Sequence, residues 1–156
     1  VLLIYVGIDP GAKGGIAAIN ENSEIIALSV MSRESLINCV KKIKNDAIEK
    51  NDGLIACVEK VGAMPGQGVT SMFTFGKSAG FIEGVLESFD IPYQLIPPPT
   101  WKKSFSLLHK DKNESIRVCK QLFPTANLLP TERSRKDSDG LAEALMMSLY
   151  AKRKLK

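Results

Sequence analysis

Hydrophobic residues form three short runs over the first thirty positions, and turn-forming residues separate these runs. The first run covers residues 2–8 and stops at Asp9-Pro10-Gly11, and the second covers residues 16–19. The third covers residues 24–30, after a polar turn. Short apolar runs rich in β-branched residues between such turns are typical of strands joined by tight connections. The pattern therefore predicts an antiparallel meander of three strands.

The rest of the chain alternates between helical and strand patterns. Apolar residues recur at three- and four-residue spacing from Arg33 to Lys50, which predicts an amphipathic helix. Residues 54–58 are continuously apolar, as in a strand that is buried on both faces of a sheet. The remaining predicted elements are a helix over residues 71–89 after a glycine-rich loop, a strand over residues 93–96 that stops at Pro97-Pro98-Pro99, and helices near residues 113–123 and 139–154.

An antiparallel start followed by strand–helix alternation defines the expected fold class. It predicts an α/β protein with a mixed sheet and helices on both faces. The chain has 156 residues, which is close to the commonest size of a single domain. We therefore expect residues 1–156 to form one domain without an interdomain linker.

Composition excludes several classes of protein. The chain is 44% hydrophobic and 24% charged, with a mean hydropathy of −0.01, which excludes disordered, collagenous and coiled-coil proteins. No run approaches the roughly 18 apolar residues of a membrane span. The N-terminus lacks the basic region and the cleavage site of a signal peptide. We therefore expect a cytosolic protein with no membrane partner.

The cysteines and the single histidine argue against two kinds of site. Cys39, Cys57 and Cys119 are widely spaced and lie among apolar residues, a pattern that favours reduced core thiols over disulfides or a zinc site. His109 is the only histidine, and no motif of a serine or cysteine nucleophile accompanies it. We expect His109 to be a polar surface residue.

The net charge of +4 conceals an uneven distribution of charge along the chain. Residues 1–100 contain 8 Lys and Arg against 11 Asp and Glu, whereas residues 101–156 contain 13 against 6. A basic excess of this size favours a polyanionic partner, because lysine and arginine release counterions from phosphates. A basic tail such as Lys152-Arg153-Lys154 is also often only a solvated helix end.

Carboxylates occur where predicted strands end. Asp9 follows the first buried strand and Glu59 follows the buried strand at residues 54–58. Either residue alone would most simply be a turn residue. Two acidic residues in the same position relative to neighbouring strands favour a common site.

A third group of acidic residues opens the last predicted helix. Asp139 and Glu143 are spaced i, i+4 and therefore emerge on one face. Capping by Asp137 or Ser138 and the helix dipole account for the first turn, but they do not account for Glu143 within an apolar run. Converging carboxylates without histidine or thiolate are the ligands of Mg²⁺ or Mn²⁺. Two such ions can hydrolyse a phosphodiester.

Several motifs, taken in order along nearly the whole chain, are similar to those of RuvC-type Holliday junction resolvases, and most of all to the phage and small RuvC-like branch. The motifs are Ile8-Asp9-Pro10-Gly11 with Gly14-Gly15, Glu59, Gly66-Gln67-Gly68 before Phe75-Gly76-Lys77-Ser78 and Gly80, Pro99-x-Trp101-Lys102-Lys103, and Asp139-Gly140-x-Ala142-Glu143-Ala144-Leu145. The resemblance implies a ribonuclease H-like fold, a homodimer and Mg²⁺-dependent paired nicking of four-way DNA junctions. It also implies a location in the cytoplasm of a bacterial cell or a phage-infected host.

The resemblance also implies roles for particular residues. The metal-binding and catalytic positions, for about two Mg²⁺ or Mn²⁺ ions, are Asp9, Glu59, Asp139 and Glu143. The positions that hold the junction backbone are Lys102, Lys103 and Lys112. The last acidic pair of the family is often spaced i, i+3, so Asp137 remains a candidate. The aromatic wedge of some members is absent from residues 60–64, and Met64, Met72 or Phe73 are either its replacement or core residues.

The predicted helix at residues 71–89 is the candidate dimer interface. Its small residues are Gly76, Ala79, Gly80 and Gly84, and its apolar residues include Phe73, Phe75, Phe81 and Leu86. Three other functions remain open. The glycine turn after Asp9 resembles the phosphate loop of actin-like and sugar-kinase ATPases, although the chain is short for that class. A related nuclease acting on RNA, or a non-catalytic protein that binds junctions, would share the fold.

Overall fold

The computed structural model describes residues 2–155, which form one five-stranded sheet and five helices. The strands are β1 (Leu3–Asp9), β2 (Gly15–Ile19), β3 (Ile25–Val30), β4 (Gly53–Glu59) and β5 (Tyr93–Ile96). The helices are α1 (Arg33–Lys50), α2 (Val69–Ser88), α3 (Pro98–Ser104), α4 (Lys112–Leu122) and α5 (Asp139–Lys154).

The sheet is mixed, and its strand order is β3-β2-β1-β4-β5. β1 pairs antiparallel with β2, and β2 pairs antiparallel with β3, whereas β1–β4 and β4–β5 are parallel. This confirms the predicted antiparallel start and the mixed sheet. It also puts β1 and β4 side by side at the centre, so that their carboxyl ends meet at one edge of the sheet.

Two hydrophobic clusters cover the two faces of the sheet. Alternate side chains of a strand point to opposite faces, and in β1 Ile4, Val6 and Ile8 join the cluster that contains residues of α1 and α2. Tyr5 joins the other cluster, which α3, α4 and α5 complete. Helices on both faces were predicted, and the structure confirms them.

Small residues let α5 pack directly on β1. A methyl group on Gly7 would lie 2.1 Å from the Ala144 carbonyl oxygen and 2.4 Å from the Ser148 amide. A methyl group on Gly140 would lie 2.0 Å from the Lys13 carbonyl oxygen. Since these neighbours are backbone atoms, glycine is required at both positions for this approach. The contact fixes the start of α5 against the turn between β1 and β2.

The sequence pattern missed one helix. Pro97-Pro98-Pro99 was interpreted only as the end of β5, but α3 begins at Pro98 with Pro97 as its N-cap. Proline suits the first helical turn because its fixed φ matches the helix and its missing N–H would have no partner there. The prolines therefore end the strand and start a helix that carries Trp101.

The cysteines and the single histidine lie in different environments. Cys57 and Cys119 are buried thiols, as predicted, whereas Cys39 is a thiol that is only half-buried. His109 is exposed and has a positive φ of 61°. Among the helices within residues 2–155, none has the length and apolar character that crossing a bilayer requires.

Candidate active site

Asp9 and Glu59 lie at the carboxyl ends of β1 and β4, on the face of the sheet that α5 covers. Tyr5 and Cys57 belong to the cluster on that face, and they lie four and two positions before Asp9 and Glu59 on the same strands. The β1–β4 register pairs the two residues that come just before Asp9 and Glu59. Strand alternation therefore brings both carboxylates to the same edge and the same face.

The first turns of α5 add two more carboxylates. The Ser138 hydroxyl caps the helix by accepting a hydrogen bond from the Leu141 amide at 3.2 Å. The Asp139 side chain is 28% exposed, and Glu143, one turn later, is 8% exposed. Because Gly140 lets this end of α5 approach the β1–β2 turn, Asp139 and Glu143 face the carboxylates of the sheet.

All four carboxylates line one cleft of about 350 Å³. Four lysines share it, so the lining of this cleft carries both acidic and basic side chains. The charged residues of the lining are Asp9, Lys13, Glu59, Lys102, Lys110, Asp111, Lys112, Asp139 and Glu143. A larger cleft of about 620 Å³ lies between β3 and residues 122–130, and its lining includes a single charged residue, Glu24. The chemistry therefore favours the smaller cleft.

Burial and mutual repulsion perturb the carboxylates. Burial, followed by the charge of Asp9, raises the pKa of Glu143 from 4.5 to about 8. Burial also raises the pKa of Asp9, although hydrogen bonds from the Gly11 amide and the Glu143 carboxyl oppose that rise. Burial and the charge of Asp9 raise the pKa of Glu59. A cluster of acids with raised pKa values is typical of a functional site and of a place that attracts a cation.

Ion pairs separate the acidic residues at the start of α5. Asp139 lies 3.2 Å from the ammonium of Lys112, and its hydrogen bond raises the pKa of that lysine. Asp137 lies 2.5 Å from Lys120 on α4 and is not part of the cleft lining. The structure therefore brings Asp139 and Glu143 to the cleft and gives Asp137 a different partner.

Helix α3 supplies two further contacts to the cleft. The buried Trp101 donates a hydrogen bond from Nε1 to Oε2 of Glu59 at 2.9 Å. Lys102 lines the cleft, whereas Lys103 is exposed and outside the lining. The contact between Trp101 and Glu59 was not predicted, because 42 residues separate the two and the helix that carries the indole was missed.

The donor set has the chemistry of a divalent-cation site, but its ligands are not gathered around one point. Carboxylates alone suit Mg²⁺ or Mn²⁺ better than zinc, and three of them carry raised pKa values that a cation would lower. Within residues 2–155, no three acidic, histidine or cysteine side chains are close enough to hold one ion as they stand. Asp139 is engaged by Lys112 and Glu59 by Trp101. The residues fit the ion in kind, and ligation would require side-chain rotation.

The first half of α2 is exposed and apolar. Phe73 is 69% exposed, Val69 is 81% exposed and Met64, just before the helix, is 69% exposed. The interpretation of Phe73 and Met64 as core residues is therefore wrong. Leu86 is fully buried, so it cannot form part of the predicted interface, and Phe81 is half-buried against the cluster with α1. They pack on the protein's own sheet.

Comparison with known proteins gives matches in structure alone. No protein-family model matches the chain, and no curated protein matches it in sequence. The RuvC protein of T. thermophilus, in complex with a Holliday junction substrate, superposes with a TM-score of 0.64 at 14% identity, over 97% of this chain and 96% of that one. A second Thermus thermophilus RuvC structure gives 0.54 at 16% identity, over 96% of both chains.

A third match extends the comparison to a eukaryote. The yeast mitochondrial Holliday junction resolvase superposes with a TM-score of 0.52 at 16% identity, over 95% of this chain and 77% of that one. Identities this low carry the architecture and not the residues of a site. The chain has the ribonuclease H-like fold of the RuvC resolvases.

Proposed function

We propose that this protein is a metal-dependent endonuclease that resolves four-way DNA junctions as a homodimer. The observation that carries the proposal is the convergence of Asp9, Glu59, Asp139 and Glu143 on one cleft of a RuvC-type fold. The structural matches include RuvC in complex with a Holliday junction substrate and a Holliday junction resolvase, which makes a four-way junction the first substrate to test.

The four carboxylates would hold Mg²⁺ or Mn²⁺, with two ions as the expected number. When bound, such ions supply an activated water and stabilise the leaving oxygen of a phosphodiester. The chain's own part is to orient the ligands and limit water. Asp9 and Glu59 are fixed by the sheet, Asp139 and Glu143 by α5, and the buried position of Glu143 restricts solvent.

The lysines around the cleft would hold the DNA backbone. The lining contains four lysines and five acidic residues, so in the absence of cations it does not favour a phosphate. Two divalent cations would reverse that balance, and the lysine ammonium groups could then bind the phosphates on either side. Lys102 and Lys112 support this role by their position, and Lys103 would act farther from the cleft.

The proposed dimer would use the exposed half of α2. One cleft cuts one strand, whereas resolution needs two cuts related by two-fold symmetry, which a dimer supplies. Phe73 and Phe75 are 69% and 40% exposed, and a methyl group on Gly76 or Gly80 would meet nothing within 4 Å. This half of the helix therefore offers exposed apolar area and small residues with open space around them.

Nicking of defined substrates tests the proposed activity. We expect the protein to cut a synthetic four-way junction in Mg²⁺ and to spare it in EDTA. Asp9→Asn should abolish cutting while junction binding survives, because a ligand is lost and no negative charge is added. Asp137→Asn, outside the cleft, is the matched control. Binding without cutting by the wild type would favour a non-catalytic protein, and preferential cutting of an RNA hybrid would favour the RNA nuclease.

Light scattering tests the dimer. The wild type should have twice the mass of one 17.0 kDa chain at micromolar concentration, and Phe73→Glu should give monomers that nick only one strand. A wild-type monomer that resolved junctions by two cuts would contradict the proposed assembly.

A further inference from the structure

The single tryptophan of the chain is buried beneath the candidate active site. Trp101 lies on α3 and is fully buried. Its ring contacts Phe105 edge-to-face, with centroids 6.4 Å apart, and it belongs to the hydrophobic cluster on the α5 side of the sheet. Close packing on this scale holds the indole in one orientation. The direction of its N–H is therefore set by the core.

That N–H donates to Glu59. The distance from Nε1 to Oε2 is 2.9 Å, which is an ordinary length for a strong N–H···O bond. Within residues 2–155, the indole is the only group that donates a hydrogen bond to the Glu59 side chain. A neutral carbonyl would have satisfied the indole equally well. Because the acceptor is instead the Glu59 carboxylate, which lines the cleft, this hydrogen bond connects the hydrophobic core to the candidate active site.

The effect of this hydrogen bond is to restrict a flexible side chain. Glutamate has three rotatable bonds, and one oxygen held by a rigid donor leaves the other free to face the cleft. The hydrogen bond also favours the ionised form and opposes the burial that raises the pKa of Glu59. Groups that orient a ligand in this way commonly change metal affinity by about 10- to 100-fold when they are removed.

The same helix aligns a positive charge with this contact. Lys102 follows Trp101 directly, and its ammonium lies 5.7 Å from the centroid of the indole ring. Lys102 lines the cleft and lowers the pKa of both Glu59 and Glu143 by its charge. The segment that starts at the prolines therefore delivers an N–H donor and an ammonium to one side of the cleft.

We propose that Trp101 is a positioning residue for Glu59, and that its emission reports the binding of a divalent cation in the cleft. The proposal rests on the proposed function for the identity of Glu59 as a ligand. A cation that draws on the Glu59 carboxylate weakens the hydrogen bond from the indole. Because the chain has no other tryptophan, the tryptophan emission of the intact protein comes from Trp101 alone.

The test is a titration with MgCl₂ followed by calorimetry and by tryptophan fluorescence. In the wild type we expect a saturable blue shift of the emission with the same midpoint as the heat of binding. Glu59→Gln should keep the tryptophan and lose the shift, and Asp137→Asn should keep it. Trp101→Phe retains the ring and removes the donor, and it should weaken Mg²⁺ binding about 10-fold. Its cutting rate should recover at saturating Mg²⁺.

A purely structural tryptophan gives a different result. Trp101→Phe would then melt at a lower temperature while its Mg²⁺ affinity stayed at the wild-type value, and that outcome overturns the proposal. If Trp101→Phe does not fold, the fluorescence of the wild type decides, and unchanged emission at saturating Mg²⁺ overturns it. Cutting by a wild type that shows no emission change would reject only the role of Trp101. Absence of Mg²⁺ binding would reject the proposed function as well.

Discussion

Replacement of Glu143 by glutamine should stabilise the metal-free protein at high pH while removing the proposed nuclease activity. Glu143 is 8% exposed, and burial with the charge of Asp9 raises its pKa from 4.5 to about 8. In the unfolded chain it ionises at its ordinary pKa. The folded state therefore binds an extra proton between about pH 4.5 and 8, and wild-type stability falls as pH rises through that window. Glutamine cannot ionise and escapes this loss.

The size of the effect follows from the same shift. One pKa unit corresponds to about 1.4 kcal/mol, so the whole rise corresponds to roughly 5 kcal/mol. Because repulsion between Glu143 and Asp9 is a property of the pair, removing one charge recovers only part of it. We expect Glu143→Gln to raise the free energy of unfolding at pH 9 by about 2 to 4 kcal/mol, or the melting temperature by about 5 to 15 °C for a chain of this size.

Urea unfolding in EDTA at pH 4 to 9 measures the difference. The two proteins should coincide near pH 4 and diverge above it, and Mg²⁺ should narrow the gap at pH 8 by stabilising the wild type. Glu132→Gln, at an exposed position outside the cleft, is the control and should follow the wild type. Parallel stability profiles for wild type and Glu143→Gln across the whole range would refute the reasoning.

Two further predictions concern packing and DNA contacts. Gly7→Ala should lower the free energy of unfolding by about 1 to 3 kcal/mol, because its methyl group would meet backbone atoms of α5. Gly84→Ala has open space around the new methyl group and should raise the free energy of unfolding by about 1 kcal/mol. Thermal unfolding measures both variants, and equal effects would contradict the packing argument. Lys102→Ala should reduce the slope of log affinity against log salt concentration by about 0.9 and slow junction cutting. Lys103→Ala should reduce the same slope without slowing cutting at a saturating concentration of junction DNA. An unchanged slope in the double variant would show that other residues contact the DNA.

The fold could be predicted from periodicity because the strands are local and strongly patterned. The helices at 33–50 and 139–154 and the strand at 93–96 appear with the predicted bounds, and the other predicted elements shift by one or two residues at their ends. The exception is α3, because Pro97-Pro98-Pro99 is compatible both with the end of a strand and with the start of a helix. A proline run ends a strand, but it also suits a first helical turn, and periodicity cannot choose between these over so few residues.

The site could be predicted in part for a related reason. Asp9 and Glu59 lie at the ends of predicted strands, and Asp139 and Glu143 are spaced to lie on one face of a predicted helix. These positions in the predicted elements made it possible to expect that the four carboxylates lie close together. The contacts that these carboxylates make with residues distant in the sequence could not be predicted. The pairing of Lys112 with Asp139 and the bond from Trp101 to Glu59 depend on tertiary contacts, and no spacing in the sequence encodes them. The exposure of Phe73 could likewise not be predicted from the sequence, because the apolar residues of its helix are not confined to one face.

The burial of Glu143 bears on the choice between a nuclease and a non-catalytic protein on the same fold. Every residue of α5 from Gly140 to Ala151 is buried, and a carboxyl group in that row weakens folding above its ordinary pKa. A protein that only binds DNA gains nothing from it, since the same negative charge repels the phosphates that the basic last third of the chain would attract. A divalent cation would reverse both effects, because it would neutralise the buried charge and make the cleft attractive to phosphate. A carboxylate that would disfavour both folding and DNA binding without a cation supports the proposed nuclease over the non-catalytic protein.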